Sequence, residues 1–314
     1  MTAVHPGDDA LEDYRALRSG VGALTLGRDV VRLSGPDAVG FLQGQASQDV
    51  AALDVGMSAD SLILSPQGKL DALVRVTRTA ADAVVIDVDA GFGDAVVARL
   101  ERFKLRVKVA VEPLAWRCVA LRGPGTAALA APGRLPPGAS LALRYEWNGV
   151  EGLDVLGPAP EAPPGVRSCG TEAWESLRVE AGIPVMGAEL DERTIAAEAG
   201  LLERAVSLTK GCYTGQELVA RLDARGNRVT RHLRGLVVRT LPGAVDRVPV
   251  GAELVAGDKA VGSVTSAAWS PALRCHVALA YVHRNVSVGD RVELGTEAGP
   301  ADAEVHALPM VAPS

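Results

Sequence analysis

The sequence predicts an α+β protein of more than one domain that ends in a β-barrel. Its 314 residues exceed the ~100–200 residues of a typical single domain, so two or three compact units are expected. From His232 onward the pattern changes to short alternating apolar runs separated by Gly, Asp and Pro, as in 261–266, 276–282 and 291–294. Such evenly spaced short strands are typical of a barrel.

The part before residue 112 reads as a small α+β unit. Ser34 and Pro36 are placed to begin a helix, as cap and first-turn residue. Residues 61–76 alternate on both sides of the turn 66–68, which predicts a hairpin with Asp71 on the face opposite the apolar row. Further along, 84–88 and 105–111 have strand alternation and 94–103 has helical spacing.

A second α+β region follows. Residues 141–156 predict a strand or hairpin, and Thr171 can cap a helix over 172–181 that Gly182 ends. Helical spacing puts Glu180 at the margin of that helix's apolar stripe. A carboxylate at an apolar margin needs a partner, so Glu180 is a candidate site residue.

Composition excludes several classes of function. The formal charge of -6 gives no attraction to phosphate backbones, so no direct nucleic-acid binding is expected. An acidic N-terminus and the lack of a long apolar run predict a cytoplasmic protein with no membrane contact. The four cysteines are too far apart for a zinc motif or a disulfide framework, so no metal site is predicted.

The segment 210–217, KGCYTGQE, is the most informative stretch. Thr214 and Glu217 fit a capping box, which predicts a helix start with unpaired amides that favour anions. A thiol at Cys212 beside the Lys210 ammonium would ionise more readily than a free cysteine, below ~8.5. The alternative is that Cys212 is buried filler and Lys210 is solvated.

This segment resembles the signature of the YgfZ family of folate-binding proteins. Residues 33–37, 41–45 and 65–71 resemble the family's N-terminal blocks, and 261–266 with 280–282 resemble the barrel shared with the T-protein of the glycine cleavage system. The resemblance implies a T-protein-like ring of three domains around a central opening that binds tetrahydrofolate or a one-carbon derivative. The implied division is a discontinuous folate-binding domain (1–50 and 112–230), an inserted α+β domain (51–111) and a C-terminal barrel (231–314).

The resemblance also implies site residues. The segment 178–182, RVEAG, resembles the T-protein segment whose glutamate holds the pterin, and one carboxylate at Glu180 can accept from two adjacent N–H groups; the alternative is an ordinary salt bridge. T-proteins carry an aspartate pair where this chain has Asp71 and Ala72, and the alternative for Asp71 is a solvent-facing strand residue. Catalytic roles are expected for Cys212, Lys210 and Asp71, and cofactor contacts for Glu180, Tyr213, Gln216, Glu217, Arg221 and Arg178.

Three functions follow as alternatives. The resemblance favours a folate-binding accessory protein for iron–sulfur clusters, whose partners are client or assembly proteins and whose effect on tRNA modification is indirect. The second is a folate-dependent aminomethyl or one-carbon transferase. The third is a thiol hydrolase or redox enzyme centred on Cys212, which would need a base that no motif supplies.

Overall fold

A computed structural model describes residues 7–129 and 135–312 of the chain. It contains three sheets with helices packed on them, which confirms the α+β class. Two compact units are formed. Unit 1 comprises the described residues of Met1–Leu26, Cys118–Pro184 and Thr230–Ser314, and unit 2 comprises Gly27–Arg117 and Val185–Val229. Within the described residues, no helix has the length and apolar character that crossing a membrane requires.

The elements are numbered along the chain. The helices are α1 (Asp8–Ser19), α2 (Ala38–Gln45), α3 (Gly93–Phe103), α4 (Thr171–Ala181), α5 (Leu202–Ala205) and α6 (Gln216–Asp223). The first ten strands are β1 (Gly22–Leu26), β2 (Arg28–Ser34), β3 (Ser58–Leu64), β4 (Leu70–Ala80), β5 (Ala83–Asp89), β6 (Ala110–Leu114), β7 (Arg117–Arg122), β8 (Leu141–Trp147), β9 (Val150–Gly157) and β10 (Arg167–Ser168). The remaining strands are β11 (Arg231–Val238), β12 (Glu253–Ala256), β13 (Lys259–Ser270), β14 (Cys275–His283), β15 (Arg291–Thr296) and β16 (Gly299–His306).

A closed barrel forms the C-terminal part of unit 1, with strand order β11-β14-β13-β12-β15-β16. Its apolar core includes Leu236, Leu254 and Leu294, all fully buried. Burying a side chain of this size contributes about 1.5–3 kcal/mol, and closure leaves no exposed sheet edge. The predicted barrel is confirmed, and its first strand begins at Arg231.

The rest of unit 1 is built on the sheet β10-β1-β7-β9-β8. Helix α4 packs against α1 and against the barrel strand β13. It ends at Gly182, whose φ of 71° is the left-handed conformation that glycine adopts at little cost. This ending leaves Glu180 in the last turn of α4, buried in unit 1.

Unit 2 is built on the sheet β3-β4-β5-β2-β6. The predicted hairpin is confirmed, because β3 and β4 are antiparallel with Leu62 opposite Leu73. Strand β2 precedes residue 51 yet shares this sheet with β3–β5, so the sheet draws on both sides of the expected boundary between residues 50 and 51. The three-domain division stays a prediction.

Several local predictions were wrong. Ser34 ends β2, and α2 begins later, at Ala38 with Asp37 as its cap residue. The strand expected over 105–111 begins only at Ala110, since Arg106 has a φ of 56° that interrupts an extended chain. Thr171 is the first residue of α4 rather than its cap. The helix expected at the end of the segment 210–217 does form, as α6, but Gly215 caps it.

Candidate functional site

The residues predicted to carry function fall into two sets, one in each compact unit. Arg178 and Glu180 belong to unit 1. The others belong to unit 2: Asp71, Lys210, Cys212, Tyr213, Gln216, Glu217 and Arg221.

Glu180 is buried, and both oxygens of its carboxylate accept hydrogen bonds. The Tyr14 hydroxyl donates to Oε2 at 2.6 Å, and the Ser270 hydroxyl donates to Oε1. Arg18 Nη1 lies 3.4 Å from Oε2. The residue is only 1% exposed. The partners that a carboxylate at an apolar margin requires are therefore two hydroxyls, one cation and the backbone N–H of Ala272.

These surroundings shift the ionisation of the cluster. Burial raises the pKa of Glu180, and the hydrogen bonds from Ser270 and Tyr14 together with the Arg18 charge oppose that rise. Burial and the neighbouring carboxylate also raise the pKa of the Tyr14 hydroxyl. Tyr14 therefore keeps its proton and serves Glu180 as a neutral donor.

The C-terminal segment and a cavity adjoin the Glu180 cluster. Met310 N–H donates to the Glu180 carbonyl at 2.7 Å, and Arg18 Nη2 donates to the Ala312 carbonyl at 2.7 Å. A cavity of about 220 Å³ is lined in part by Arg18, Leu177 and Ala181. Charged and polar side chains, among them Arg18, Asn148 and Glu151, line this cavity together with apolar ones. A cavity beside a group with a shifted pKa is a candidate small-molecule site.

Arg178 is buried, and the protein itself binds its guanidinium. Its Nε lies 2.8 Å from both carboxylate oxygens of Glu175, and Nη1 donates to the Ile183 carbonyl at 3.3 Å. Nη2 donates to the Ser266 hydroxyl of β13 at 2.8 Å. Arg178 thus connects α4, the helix that carries Glu180, to the barrel. Its expected cofactor contact stays a prediction.

Lys210 binds backbone carbonyls around the end of α2. Its Nζ donates to the carbonyls of Gln43, Ala46 and Gln48 at 2.6, 2.7 and 2.8 Å. The last carbonyls of a helix lack intrahelical partners and attract cations, which explains why the ammonium turns here rather than toward Cys212. Burial lowers the pKa of Lys210 to about 8, opposed by Asp49.

Cys212 is exposed, whereas Cys118, Cys169 and Cys275 are buried. The alternative of buried filler is therefore wrong. Its segment is held against α2 on both sides of the thiol, by Lys210 before it and by Thr214, whose N–H donates to the Gly44 carbonyl at 3.0 Å. In the described ranges, no group of three or more His, Cys, Asp and Glu side chains is placed to hold a metal ion.

Gly215 explains why the segment 210–217 turns sharply into α6. Its φ is 82°, and a Cβ there would lie 2.5 Å from the Ser65 carbonyl oxygen. The close approach joins this segment to the hairpin turn that precedes Asp71. Two segments that resemble known motifs, 65–71 and 210–217, are thereby brought together in unit 2.

Asp71 is half-buried and paired with Arg99, whose Nε lies 3.2 Å from Oδ2. Burial raises the pKa of Asp71, and Arg99 opposes the rise. The neighbouring Ala72 is buried, so only one carboxylate stands at this position. Asp71 is thus neither fully solvent-facing nor free of partners.

The remaining predicted residues lie at the start of α6. Gln216 Oε1 accepts from the Tyr213 N–H at 3.1 Å, and the Tyr213 ring centroid is 5.1 Å from Lys210 Nζ. Glu217 and Arg221 form an exposed ion pair at 3.0 Å, a surface pairing typical of residues four apart on a helix. Their expected cofactor contacts stay predictions.

Sequence reasoning missed the residues that surround these side chains. Tyr14, Arg18 and Ser270 contact Glu180, and Arg99 contacts Asp71. Tyr14 and Glu180 are 166 residues apart, and no local pattern predicts such a pairing. The sequence indicated only that Glu180, at the margin of an apolar helix face, requires some hydrogen-bond donor.

Comparison with known protein families gives one matching domain model. The model of the glycine cleavage T-protein C-terminal barrel domain matches residues 231–311, the range in which the six-stranded barrel lies. An aminomethyltransferase of Bordetella petrii is 30% identical to the chain, covering 96% of it and 88% of the relative. An uncharacterized protein of Haemophilus influenzae is 27% identical over 76% of the chain and 81% of its own length.

A solved structure has the same fold. The glycine cleavage system aminomethyltransferase T from Bartonella henselae superposes with a TM-score of 0.83 at 24% identity, covering 96% of this chain and 89% of that one. The T-protein-like fold expected from the sequence is confirmed.

Proposed function

Because the chain belongs to the family of the aminomethyltransferases, the T-proteins of glycine cleavage, we propose that it binds tetrahydrofolate or a one-carbon derivative and serves iron–sulfur clusters. In this role it is an accessory protein for cluster assembly or repair in client enzymes, with an indirect effect on tRNA modification. This is the function expected of the YgfZ type, to which the segment 210–217 points.

One observation carries the proposal: the thiol of Cys212 is exposed while its segment is fixed. The other three cysteines are buried, so Cys212 alone among them is available to a client. The Lys210 bonds to three carbonyls hold the segment without consuming the thiol. A thiol presented in this way suits direct action on a partner's cluster or on a folate carbon.

Glu180 supports the folate part of the proposal. A carboxylate has about four lone-pair sites, and in the folded chain Tyr14, Ser270, Arg18 and the Ala272 N–H all point at Glu180. A folate would therefore have to replace at least one of these donors. The Tyr14 and Ser270 hydroxyls can rotate away, and the carboxylate would then accept from the pterin amino and ring N–H groups in their place. Tetrahydrofolate would supply a nitrogen that carries a one-carbon unit, and the chain's own residues would orient it.

A folate-dependent aminomethyl or one-carbon transferase is the second candidate. It is favoured by the similarity to aminomethyltransferases over 96% of the chain. The residues at Asp71 argue against it. Ala72 stands where T-proteins have their second aspartate, and Asp71 is already paired with Arg99 at 3.2 Å. The Arg99 contact occupies part of the Asp71 carboxylate, and no second carboxylate is present to receive a reacting amine.

Complementation separates the two candidates. Cells lacking the native protein are supplied with wild type, Cys212→Ser, or the matched control Cys275→Ser at a buried cysteine. The proposal expects Cys212→Ser to bind tetrahydrofolate normally yet fail to restore iron–sulfur enzyme activity, while the control restores it. Full rescue by Cys212→Ser at normal expression would contradict the role of the thiol and favour a function that does not need it.

A further inference from the structure

Arg99 donates hydrogen bonds to partners from three different parts of unit 2. Its Nε donates to Asp71 Oδ2 at 3.2 Å, Nη1 to Gln45 Oε1 at 3.0 Å, and Nη2 to the Leu64 carbonyl at 3.2 Å. The guanidinium lies 3.7 Å from the Phe103 ring centroid. Its side chain is only 10% exposed. A planar guanidinium that is stacked on a ring and bound through all three nitrogens holds its partners in one relative geometry.

The contacts continue from Arg99 to the segment that carries Cys212. Gln45 Oε1 accepts from the Thr214 hydroxyl, 3.4 Å away, as well as from Arg99. Thr214 also donates its N–H to the Gly44 carbonyl at 3.0 Å. Asp71 and a residue two positions after Cys212 are therefore joined through two intermediate side chains.

We infer that Arg99 is a positioning residue that couples Asp71 to the segment 210–217. Lysine would not replace it, because three different nitrogens of the planar guanidinium bind the three partners, whereas all lysine donors leave one atom. A change at Asp71 is transmitted to Thr214 because Arg99 and Thr214 donate to the same acceptor, Gln45 Oε1. For the roles of Asp71 and Cys212 the inference rests on the proposed function, whereas the coupling itself is a property of unit 2.

Amide hydrogen exchange of the full chain tests the coupling without any folate. Arg99→Met is expected to accelerate exchange of residues 210–217 by about threefold to tenfold, as loss of ordinary hydrogen bonds would. Asp71→Ala accelerates it in the wild-type background and adds nothing when Arg99 is already Met. Arg32→Met, which breaks the 2.6 Å pair with Glu112 between β2 and the edge strand β6, is the control and leaves 210–217 at the wild-type rate.

Arg99→Lys distinguishes positioning from general support of the fold. Arg99→Met should also accelerate exchange in the hairpin 65–71, because Asp71 loses its partner. A lysine can still pair with Asp71, so in Arg99→Lys the hairpin should exchange at the wild-type rate while 210–217 stays fast. Recovery of both segments together would overturn the inference, as would wild-type exchange of 210–217 in Arg99→Met. So would an Asp71→Ala effect of equal size in both backgrounds. If Arg99→Met does not fold, the lysine variant and Asp71→Ala decide the same question.

The failure of this inference and that of the proposed function are separable. Calorimetry of the wild-type protein with tetrahydrofolate reports on the proposed function alone. Accelerated exchange without folate binding would support the coupling and remove the folate role. Folate binding with unchanged exchange would support the folate role and overturn the coupling.

Discussion

Replacing Lys210 by methionine should destabilise the protein measurably, because the ammonium binds three carbonyls at 2.6–2.8 Å. A hydrogen bond from a charged donor contributes at least about 1.5 kcal/mol, so the three together contribute about 4 kcal/mol or more. Burial opposes this, since lowering the pKa from 10.5 to about 8 corresponds to about 3 kcal/mol for a fully buried group. The partial exposure of Lys210 reduces that cost.

The balance predicts that Lys210→Met lowers the free energy of unfolding by about 1–2 kcal/mol. Urea unfolding measures it, with Lys104→Met as the matched control. Lys104 forms a surface ion pair with Glu101 at 2.6 Å, three residues away, and its loss should cost no more than about 0.5 kcal/mol. Equal midpoints for the two variants would refute the role of Lys210 as a clamp on α2.

Three further predictions follow from the same geometry. Glu180→Gln should weaken tetrahydrofolate binding at least about tenfold, since a charged hydrogen bond is worth ~1.5–3 kcal/mol; calorimetry showing equal affinity in a folded variant would contradict the pterin contact. Because the folded pKa of Lys210 is lowered to about 8, the unfolded chain binds more protons above that pH. The stability of wild type relative to Lys210→Met should therefore rise from pH 8 to about 10.5, and a difference independent of pH would count against it. Gly215→Ala should cost about 1–3 kcal/mol in a thermal melt because its φ is 82°, whereas Gly211→Ala, which meets nothing within 4 Å, should stay near wild type.

The barrel and the hairpin could be predicted because their patterns are local. Alternation along 276–282 and the turn at 66–68 are read directly from neighbouring residues, and both elements formed as β14 and the β3–β4 pair. The predicted helix caps were wrong because capping depends on tertiary contacts as well as on local sequence. Thr214 has a capping residue's chemistry, but its hydroxyl contacts Gln45 instead, so a tertiary partner displaced the local one.

The candidate residues were predictable only in part. Glu180, Cys212 and Asp71 were proposed from motif and spacing, whereas their partners Tyr14, Ser270 and Arg99 were not. Ser270 lies 90 residues from Glu180 in sequence, and its hydroxyl becomes a partner only after β13 packs against α4. Residues that support a site from a distance are set by packing, which sequence spacing does not encode.

Titration calorimetry with tetrahydrofolate tests the central claim most directly. Wild-type protein should bind it saturably at one site, Glu180→Gln should bind at least about tenfold more weakly, and Cys212→Ser should bind as wild type does. Absence of binding to the folded wild-type protein would contradict the account, and equal affinities for wild type and Glu180→Gln would remove Glu180 from the site.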